Sequence, residues 1–418
     1  MSKEKIIAGI DIGSIKVSTT IASVSENRVS VIGVSGPEKS KGINKGNVVD
    51  IDSAVEAIAK SIEKAERMAG VSVSSAFVTI SGAHIETLNS HGVVAVTPND
   101  NSEITKEDVT RVIEAAQAVS LPSTREVIHV IPRDFVVNSQ DGIKDPVGMS
   151  GVRLEVETNI IHGSATAMRN ILKCVNQVGV DVDELVYSGI ASSESVLTDT
   201  EKELGTLLID MGGGTTSLIA FVEGSPIYSS VLPIGGKLIT SDLAIGLRSR
   251  LEDAEKIKLR LSNEALISKS MQQVSKDEDF DVSEFNLEVE SLPRNMLYKI
   301  IDARLEEIFR LVALEITKAG LTGKLPAGVV VCGGSANVAG VERSAKVNLK
   351  MPVRLGTPKG VTGLIDEIQG TDSAAGVGAI LYGASLLKGS NLLSFDSKKG
   401  NMNKSFSKLL EKLKSFLP

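Results

Sequence analysis

Tryptophan is missing altogether, and aromatic residues fill only 3% of the 418 positions. Platforms that stack single-stranded bases are built from such rings, so this composition argues against that class of partner. The formal charge of −7 removes any bulk attraction for nucleic acid as well. Cysteine is equally scarce: Cys174 and Cys332 are far apart, fit no metal or redox spacing and suit a reducing compartment. The histidines His84, His91, His129 and His162 form no short ligand motif. No segment reaches the roughly 20 consecutive apolar residues of a membrane span. The opening MSKEKIIAGIDIG is broken too early by Asp11 and Gly13 for a secretory signal, so a cytoplasmic protein is expected.

Against these absences the chain carries clear punctuation. Residues 5–34 alternate strand-like runs (IIAGID, VSTTIASV, RVSVIGV) with turns, which predicts a β-meander. Ser53–Ala69 reads as a helix with Ser53 as its cap, Val55, Ile58, Ile62 and Ala65 on one face, and Gly70 as its end. Residues 205–232 repeat the opening: GTLLID, a tight MGGGTT turn, then SLIAFV and IYSSVL. Matching spacing and order predict an internal duplication, two related halves facing each other. A third mark, GVVVCGGSANVAGVERSAKV (328–347), reads as a β-branched strand, a Gly-Gly turn and a helix, and 372–387 reads as a buried helix. Two insertions lie between these marks. Residues 82–162 hold strand-like GVVAV, REVIHVI, DFVVN and VRLEVETNII around one helix, from about Lys106 to Val119. Residues 237–319 read as mostly helical, with SKDEDFDVSE as a solvated acidic loop.

The chemistry gathers in DIGSIK (Asp11–Lys16) and DMGGGTT (Asp210–Thr216). A Mg²⁺-bound triphosphate needs close backbone N–H groups, hydroxyls, a cation and nearby carboxylates. Gly13, Gly212, Gly213 and Gly214 let the backbone approach phosphates without a Cβ clash. Ser14, Thr215 and Thr216 can donate hydroxyls, and Lys16 can offset phosphate charge. Asp11 and Asp210 would hold the shell of a Mg²⁺ ion through water, and Asp210 is the candidate to position an attacking water. Gly333 and Gly334, with Ser335 beside them, can let a nucleoside lie against the backbone. There is no Walker A motif.

Together these hairpins and the Gly-Gly turn resemble the phosphate 1, phosphate 2 and adenosine motifs of the actin/Hsp70/sugar-kinase ATPase superfamily. Within it, VIHVIPRDFVV (127–137), DGIKDPVGMSGVRLE (141–155), SGIASSESVLTDTEKELG (188–205), GGKLITSDLA, DAEKIK and GVTGL resemble the FtsA family of bacterial cell-division proteins over nearly the whole chain. The resemblance implies an α/β class: a duplicated actin-like (ribonuclease H-like) two-lobed fold with an inserted α+β subdomain 1C and a helical subdomain 2B. Residues 1–81 and 163–195 would form subdomain 1A, 82–162 subdomain 1C, 196–236 and 320–387 subdomain 2A, and 237–319 subdomain 2B. It implies ATP and Mg²⁺ in the cleft, with Glu255 and Lys258 near the nucleoside. Hydrolysing relatives place an acid or amide just before phosphate 2, where this chain has Ala191, with Glu194 a substitute if the register shifts. ATP turnover is therefore expected to be slow. The resemblance also implies that Arg304, in IIDARLEEIFRLVALEI, meets the C-terminal peptide of the tubulin homologue FtsZ. Subdomain 1C would serve subunit contacts in a filament and recruitment of later division proteins.

The final stretch, KSFSKLLEKLKSFLP, places Phe406, Leu409, Leu410, Leu413, Phe416 and Leu417 on one helical face. Lys404, Lys408 and Lys412 lie mostly away from it and Lys414 flanks it. With Glu411 the four lysines give a local charge of +3. Residues 388–403 read as a flexible linker. An interfacial helix on an anionic membrane fits this pattern; a helix packed on the body or seated in a partner's groove are the competing readings. The whole reading is an ATP-binding cell-division protein that polymerises on the cytoplasmic membrane at the division site and tethers FtsZ filaments there. An actin-like pilus-assembly scaffold, a sugar kinase and an Hsp70-type chaperone are the alternatives.

Overall fold

The opening meander forms as its alternation predicts: β1 (Lys5–Ile12), β2 (Lys16–Ser25) and β3 (Arg28–Val34) pair antiparallel in turn. The computed structural model describes residues 4–25, 28–96, 103–271, 279–285 and 287–387. The linker and the terminal amphipathic stretch expected at 388–418 lie outside the described residues. Helix α1 (Ile51–Ala69) is capped by Asp50, not by Ser53: the Ser53 backbone N–H donates to the Asp50 carboxylate at 3.0 Å. Both residue types can cap, but Asp50 precedes the first turn in extended conformation, where its charge also meets the positive end of the helix. Gly70, at φ 69°, closes the other end. The helix lies on β3 at Gly33, where a Cβ would sit 2.5 Å from the Ala65 carbonyl oxygen. Strand β4 (Ser75–Ile80) then joins β1 in parallel.

The first insertion builds its own layer pair. Strands β5 (Glu86–Ala95), β6 (Arg125–Val137), β7 (Gln140–Ile143) and β8 (Arg153–Ser164) form a 4-stranded antiparallel sheet in the order β7-β6-β8-β5. Helix α2 (Lys106–Gln117) starts at a Thr105–Asp108 capping box and buries Val109, Val112, Ile113 and Ala116 among Phe135, Leu154, Val156 and Ile160. The two strands expected at REVIHVI and DFVVN are one. The chain runs through Pro132 because the ladder slips between Glu157 and Thr158, opposite that residue, so the missing N–H falls at a bulge.

Helix α3 (Ala165–Gln177) and β9 (Asp181–Tyr187) return to the first sheet, whose longer strands run in the order β9-β4-β1-β2-β3, with the two-residue strands Glu38–Lys39 and Thr362–Gly363 added on β2 and β3. Helix α4 (Ser188–Val196) and α5 (Asp199–Leu204) lead to the second lobe. There β10 (Thr206–Met211), β11 (Thr216–Val222) and β12 (Ser225–Leu232) form a second meander. Helices α6 (Lys237–Leu247), α7 (Leu251–Met271) and α8 (Arg294–Lys318) make up the second insertion, with a small hairpin of β13 (Asp279–Asp281) and β14 (Ser291–Pro293). The described part of the acidic stretch is thus strand and short helix, not solvated loop. In DFDV the apolar residues alternate with the charges; Phe280 and Val282 are fully buried, and Arg260 and Arg294 lie 5.2 Å from the Phe280 ring.

Strands β15 (Gly328–Cys332) and β16 (Val353–Leu355), with α9 (Val341–Leu349) between them, complete a sheet ordered β12-β11-β10-β15-β16. Its order and strand senses repeat those of the first lobe: an antiparallel meander, then two parallel strands on the far side of its first strand. The internal duplication and the two-lobed α/β fold are therefore plain in the topology. Helix α10 (Ala374–Leu387) carries the chain back to the first lobe and crosses α4 closely. At Gly378 any Cβ would overlap the Ala191 carbonyl, so only glycine permits this crossing.

Candidate functional site

The two Asp-x-Gly hairpins meet tip to tip. Each is closed by the same bond, Gly13 N–H to the Lys16 carbonyl and Gly212 N–H to the Thr215 carbonyl, both at 2.9 Å. A Cβ on Gly214 would lie 2.7 Å from Ser14 Oγ, and one on Gly213 would overlap Ile15. Glycine in the second hairpin is thus what lets the first hairpin close against it. Between them opens a cleft of about 330 Å³. Asp11, Gly13, Ser14, Lys16, Asp210, Gly212, Gly213 and Thr215 line it from the two hairpins, and Glu255, Lys258, Gly333, Gly334 and Ser335 complete the lining.

Each carboxylate at the cleft floor is held by a neighbouring hydroxyl. Thr79 donates to Asp11 at 2.7 Å while accepting from the Ile12 N–H at 3.2 Å. Ser192, on α4, donates to Asp210 at 2.9 Å. Burial raises the pKa of Asp11. Burial, and then the charge of Asp11, push Asp210 up to about 7. Lys16 donates to Asp372 Oδ2 at 2.8 Å and to the Asp372 carbonyl at 2.6 Å. Three hydroxyls bridge the lobes beside these groups: Ser217 lies 3.0 Å from Ser81 and 2.9 Å from Ser188.

Elsewhere in the lining, Lys258 is buried and donates to Glu255 at 2.7 Å and to Thr240 at 2.9 Å, which fixes both chains on α7 against α6. Gly333 adopts φ 88° and carries no Cβ that would strike Asp210, so the Gly-Gly turn can sit directly over the carboxylate. Ser335 donates to the Gly212 carbonyl at 2.8 Å and ties that turn to the second hairpin.

Several residues singled out in the sequence fall outside the lining. Thr216 is fully buried and its hydroxyl donates to the Ile234 carbonyl at 2.9 Å, a role in the strand. Gly214 packs on Ser14. Glu194 pairs with Lys202 at 2.8 Å, and Ala191 is buried beneath α10. From α4 only Ser188 reaches the lining, so that helix brings a hydroxyl to the cleft, and no acid or amide. Arg304 lies near the middle of α8, outside the lining, its guanidinium engaged by Asp242 at 2.6 and 2.8 Å and by Glu307. Asp372, Ser192, Thr79 and the hydroxyl trio escaped sequence reading. They share no motif with the hairpins and arrive from the turn before α10, from α4 and from neighbouring strands.

Two carboxylates at the floor are too few to enclose a bare cation. They fit one that keeps most of its water, as Mg²⁺ does. Among the described residues no group of three or more His, Cys, Asp or Glu forms a closed metal cage, and no helix is long and apolar enough to cross a membrane.

Comparison with known proteins agrees with this frame. A family profile described as "SHS2 domain inserted in FTSA" matches residues 82–162, and one described as "Cell division protein FtsA" matches residues 207–378. The cell division protein FtsA of Pseudomonas aeruginosa is 37% identical over 415 residues, 99% of this chain and 97% of that protein. Among solved structures, the PilM-PilN type IV pilus biogenesis complex aligns with TM-score 0.62 at 15% identity, over 92% of this chain and 98% of that one. MreB5 of Spiroplasma citri bound to ADP aligns with TM-score 0.54 at 12% identity, over 92% and 98%. The structural likenesses establish an actin-like fold, and the near-complete sequence match narrows it: the chain belongs to the FtsA family of cell-division proteins.

Proposed function

We propose that this protein binds ATP with Mg²⁺ in the cleft and works as a nucleotide-dependent, filament-forming tether for FtsZ at the cytoplasmic face of the membrane. The observation that carries the nucleotide reading is the tip-to-tip closure of two equivalent phosphate-type hairpins over Asp11 and Asp210. Support comes from the actin-like fold neighbour MreB5, solved with ADP and with AMPPNP. In this reading Gly13, Ser14, Gly212, Gly213 and Thr215 face the phosphates, with Gly214 and Thr216 shaping the second hairpin. Asp11 and Asp210 hold the hydrated cation, and Glu255, Lys258, Gly333, Gly334 and Ser335 flank the nucleoside. Hydrolysis is slow because α4 buries Ala191 beneath α10 and pairs Glu194 with Lys202, so it brings no acid or amide to the cleft to position water.

Residues 404–418 supply the membrane contact, with Phe406, Leu409, Leu410, Leu413, Phe416 and Leu417 entering the interface and Lys408 and Lys412 meeting anionic headgroups. One such helix binds weakly, and a filament of copies multiplies the affinity. The α6–α8 face with Arg304 takes the FtsZ C-terminal peptide, and the inserted domain serves subunit contacts and later division proteins. The test is co-sedimentation with anionic liposomes, with and without residues 404–418 and with and without Mg·ATP, imaged for filaments. Deletion should abolish sedimentation while ATP binding persists. Unchanged sedimentation would sink the tether, and absence of ATP binding would sink the nucleotide reading.

A further inference from the structure

Two lysines line the cleft, and each already faces a carboxylate: Lys258 meets Glu255 at 2.7 Å and Lys16 meets Asp372 at 2.8 Å. Four carboxylates (Asp11, Asp210, Glu255, Asp372) against these two ammonium groups give the lining a formal charge of −2 when all are ionised. A cleft shaped for a polyanion therefore carries charge of the same sign. The pairing at Lys16 is also unusually complete. Asp372 takes two of its three ammonium protons, one through Oδ2 and one through its own carbonyl at 2.6 Å. The contact spans the site, from the start of β2 to the turn before α10, and stays only partly exposed, at 21% and 33% for the two side chains.

We infer that Asp372 is a standing counter-ion that withholds Lys16 from phosphate and so makes nucleotide binding depend on a divalent cation. The inference rests on the nucleotide reading above. With Lys16 neutralised, a triphosphate without metal meets a net negative cleft and is rejected. The same triphosphate carrying Mg²⁺ brings the missing positive charge to the side of Asp11 and Asp210. Asp372 is thus a specificity-setting residue, and it acts through Lys16.

The experiment is isothermal titration of the full chain with ATP, once in excess Mg²⁺ and once in EDTA. Wild type is compared with Asp372→Asn, which keeps the side chain's shape and removes its charge. The ratio of Kd in EDTA to Kd in Mg²⁺ should fall by about tenfold, since one charge is removed close to the phosphates. Metal-free binding that appears only in the variant counts as the same result. In a Lys16→Met background the fall should be clearly smaller, since no ammonium is left to release and only the direct charge of Asp372 is removed. Asp372→Ser serves as a second variant if melting shows that Asp372→Asn is misfolded. An unchanged ratio in a folded variant, with wild type binding Mg·ATP, overturns the inference alone. So does an effect of undiminished size without Lys16. A wild-type chain that binds neither form overturns the nucleotide reading and the inference with it.

Discussion

Ser192 donates to Asp210 at 2.9 Å, so a helix joining the two lobes holds the carboxylate at the floor of the cleft. That carboxylate is buried next to Asp11 and its pKa is pushed up to about 7, against 3.8 ordinarily. Between these values the folded chain binds a proton that the unfolded chain has lost. Stability from this group is therefore present below about pH 4 and lost as pH rises toward 7. Asp210→Asn removes the charge and leaves an oxygen for Ser192. The ligand-free variant should melt higher than wild type at pH 8, by the equivalent of about 1–3 kcal/mol, and the gap should close near pH 4. Calorimetry at the two pH values decides it, and a gap that does not shrink on acidification would assign the effect elsewhere.

The crossing of α4 and α10 gives a second, sterically simple expectation. Gly378→Ala drives a methyl into the Ala191 carbonyl, where both partners are helix backbone and cannot step aside. The cost should be about 3 kcal/mol or more in a urea titration, as for an overpacked core. Gly246→Ala is the counter-case. On α6, its new methyl meets only the Ile300 side chain of α8, with Cδ1 at 3.0 Å, and alanine favours helix, so this variant should be neutral or slightly stabilised. Equal losses at both positions would mean that the crossing is not the cause.

The legible parts of this chain were those written in local chemistry. Asp-x-Gly turns between alternating runs marked β1–β2 and β10–β11, and their repetition disclosed the duplication. The parallel strands that finish each sheet were not legible as neighbours, because β9 and β16 come from distant segments that only the fold brings alongside. At Asp279–Asp281 the charges concealed a period-two strand whose buried partners are Phe280 and Val282. Asp50 and Ser53 are both capping residues, and local composition could not choose between them. Within the site, Lys16 stood out by its motif, while its partner Asp372 is 356 residues away and has no motif to announce it. The hairpins thus point to a phosphate cleft from sequence alone, and the network that tunes it requires the coordinates.

His129 ties the inserted domain to the junction between β9 and α4. Its Nε2 accepts the Tyr187 N–H at 3.0 Å, immediately before α4, and Tyr382 of α10 lies 3.5 Å from Nδ1 while donating to Glu184 at 2.7 Å. Burial lowers the pKa of this ring to about 3 from 6.5. The unfolded chain takes up the proton first on acidification, so stability is full above pH 6.5 and declines as pH falls toward 3. His129→Gln should lower the melting temperature at pH 7.5 and flatten its fall between pH 7 and pH 5. His84 and His162, also lowered by burial, keep part of the slope. An equally steep fall in the variant would remove His129 as a source.

Arg304 presents the hardest choice between scaffold and docking residue. Asp242 on α6 holds its guanidinium in a two-pronged pair at 2.6 and 2.8 Å, and Glu307 adds a third contact. An acidic peptide arriving at this face competes with Asp242 for the same donors. Arg304→Glu should weaken recovery of the FtsZ C-terminal peptide, but it also sets like charges against Asp242 and loosens α6 from α8. Asp242→Asn separates the two effects: it releases Arg304 from its internal carboxylate and leaves the arginine in place. If Arg304 docks the peptide, this variant should bind it several-fold more tightly while Arg304→Glu binds it less. If the arginine only fastens the helices, both variants should lose melting temperature and recover less peptide. Fluorescence anisotropy of the labelled peptide at two salt concentrations makes the comparison, because a direct arginine–carboxylate contact weakens as salt rises.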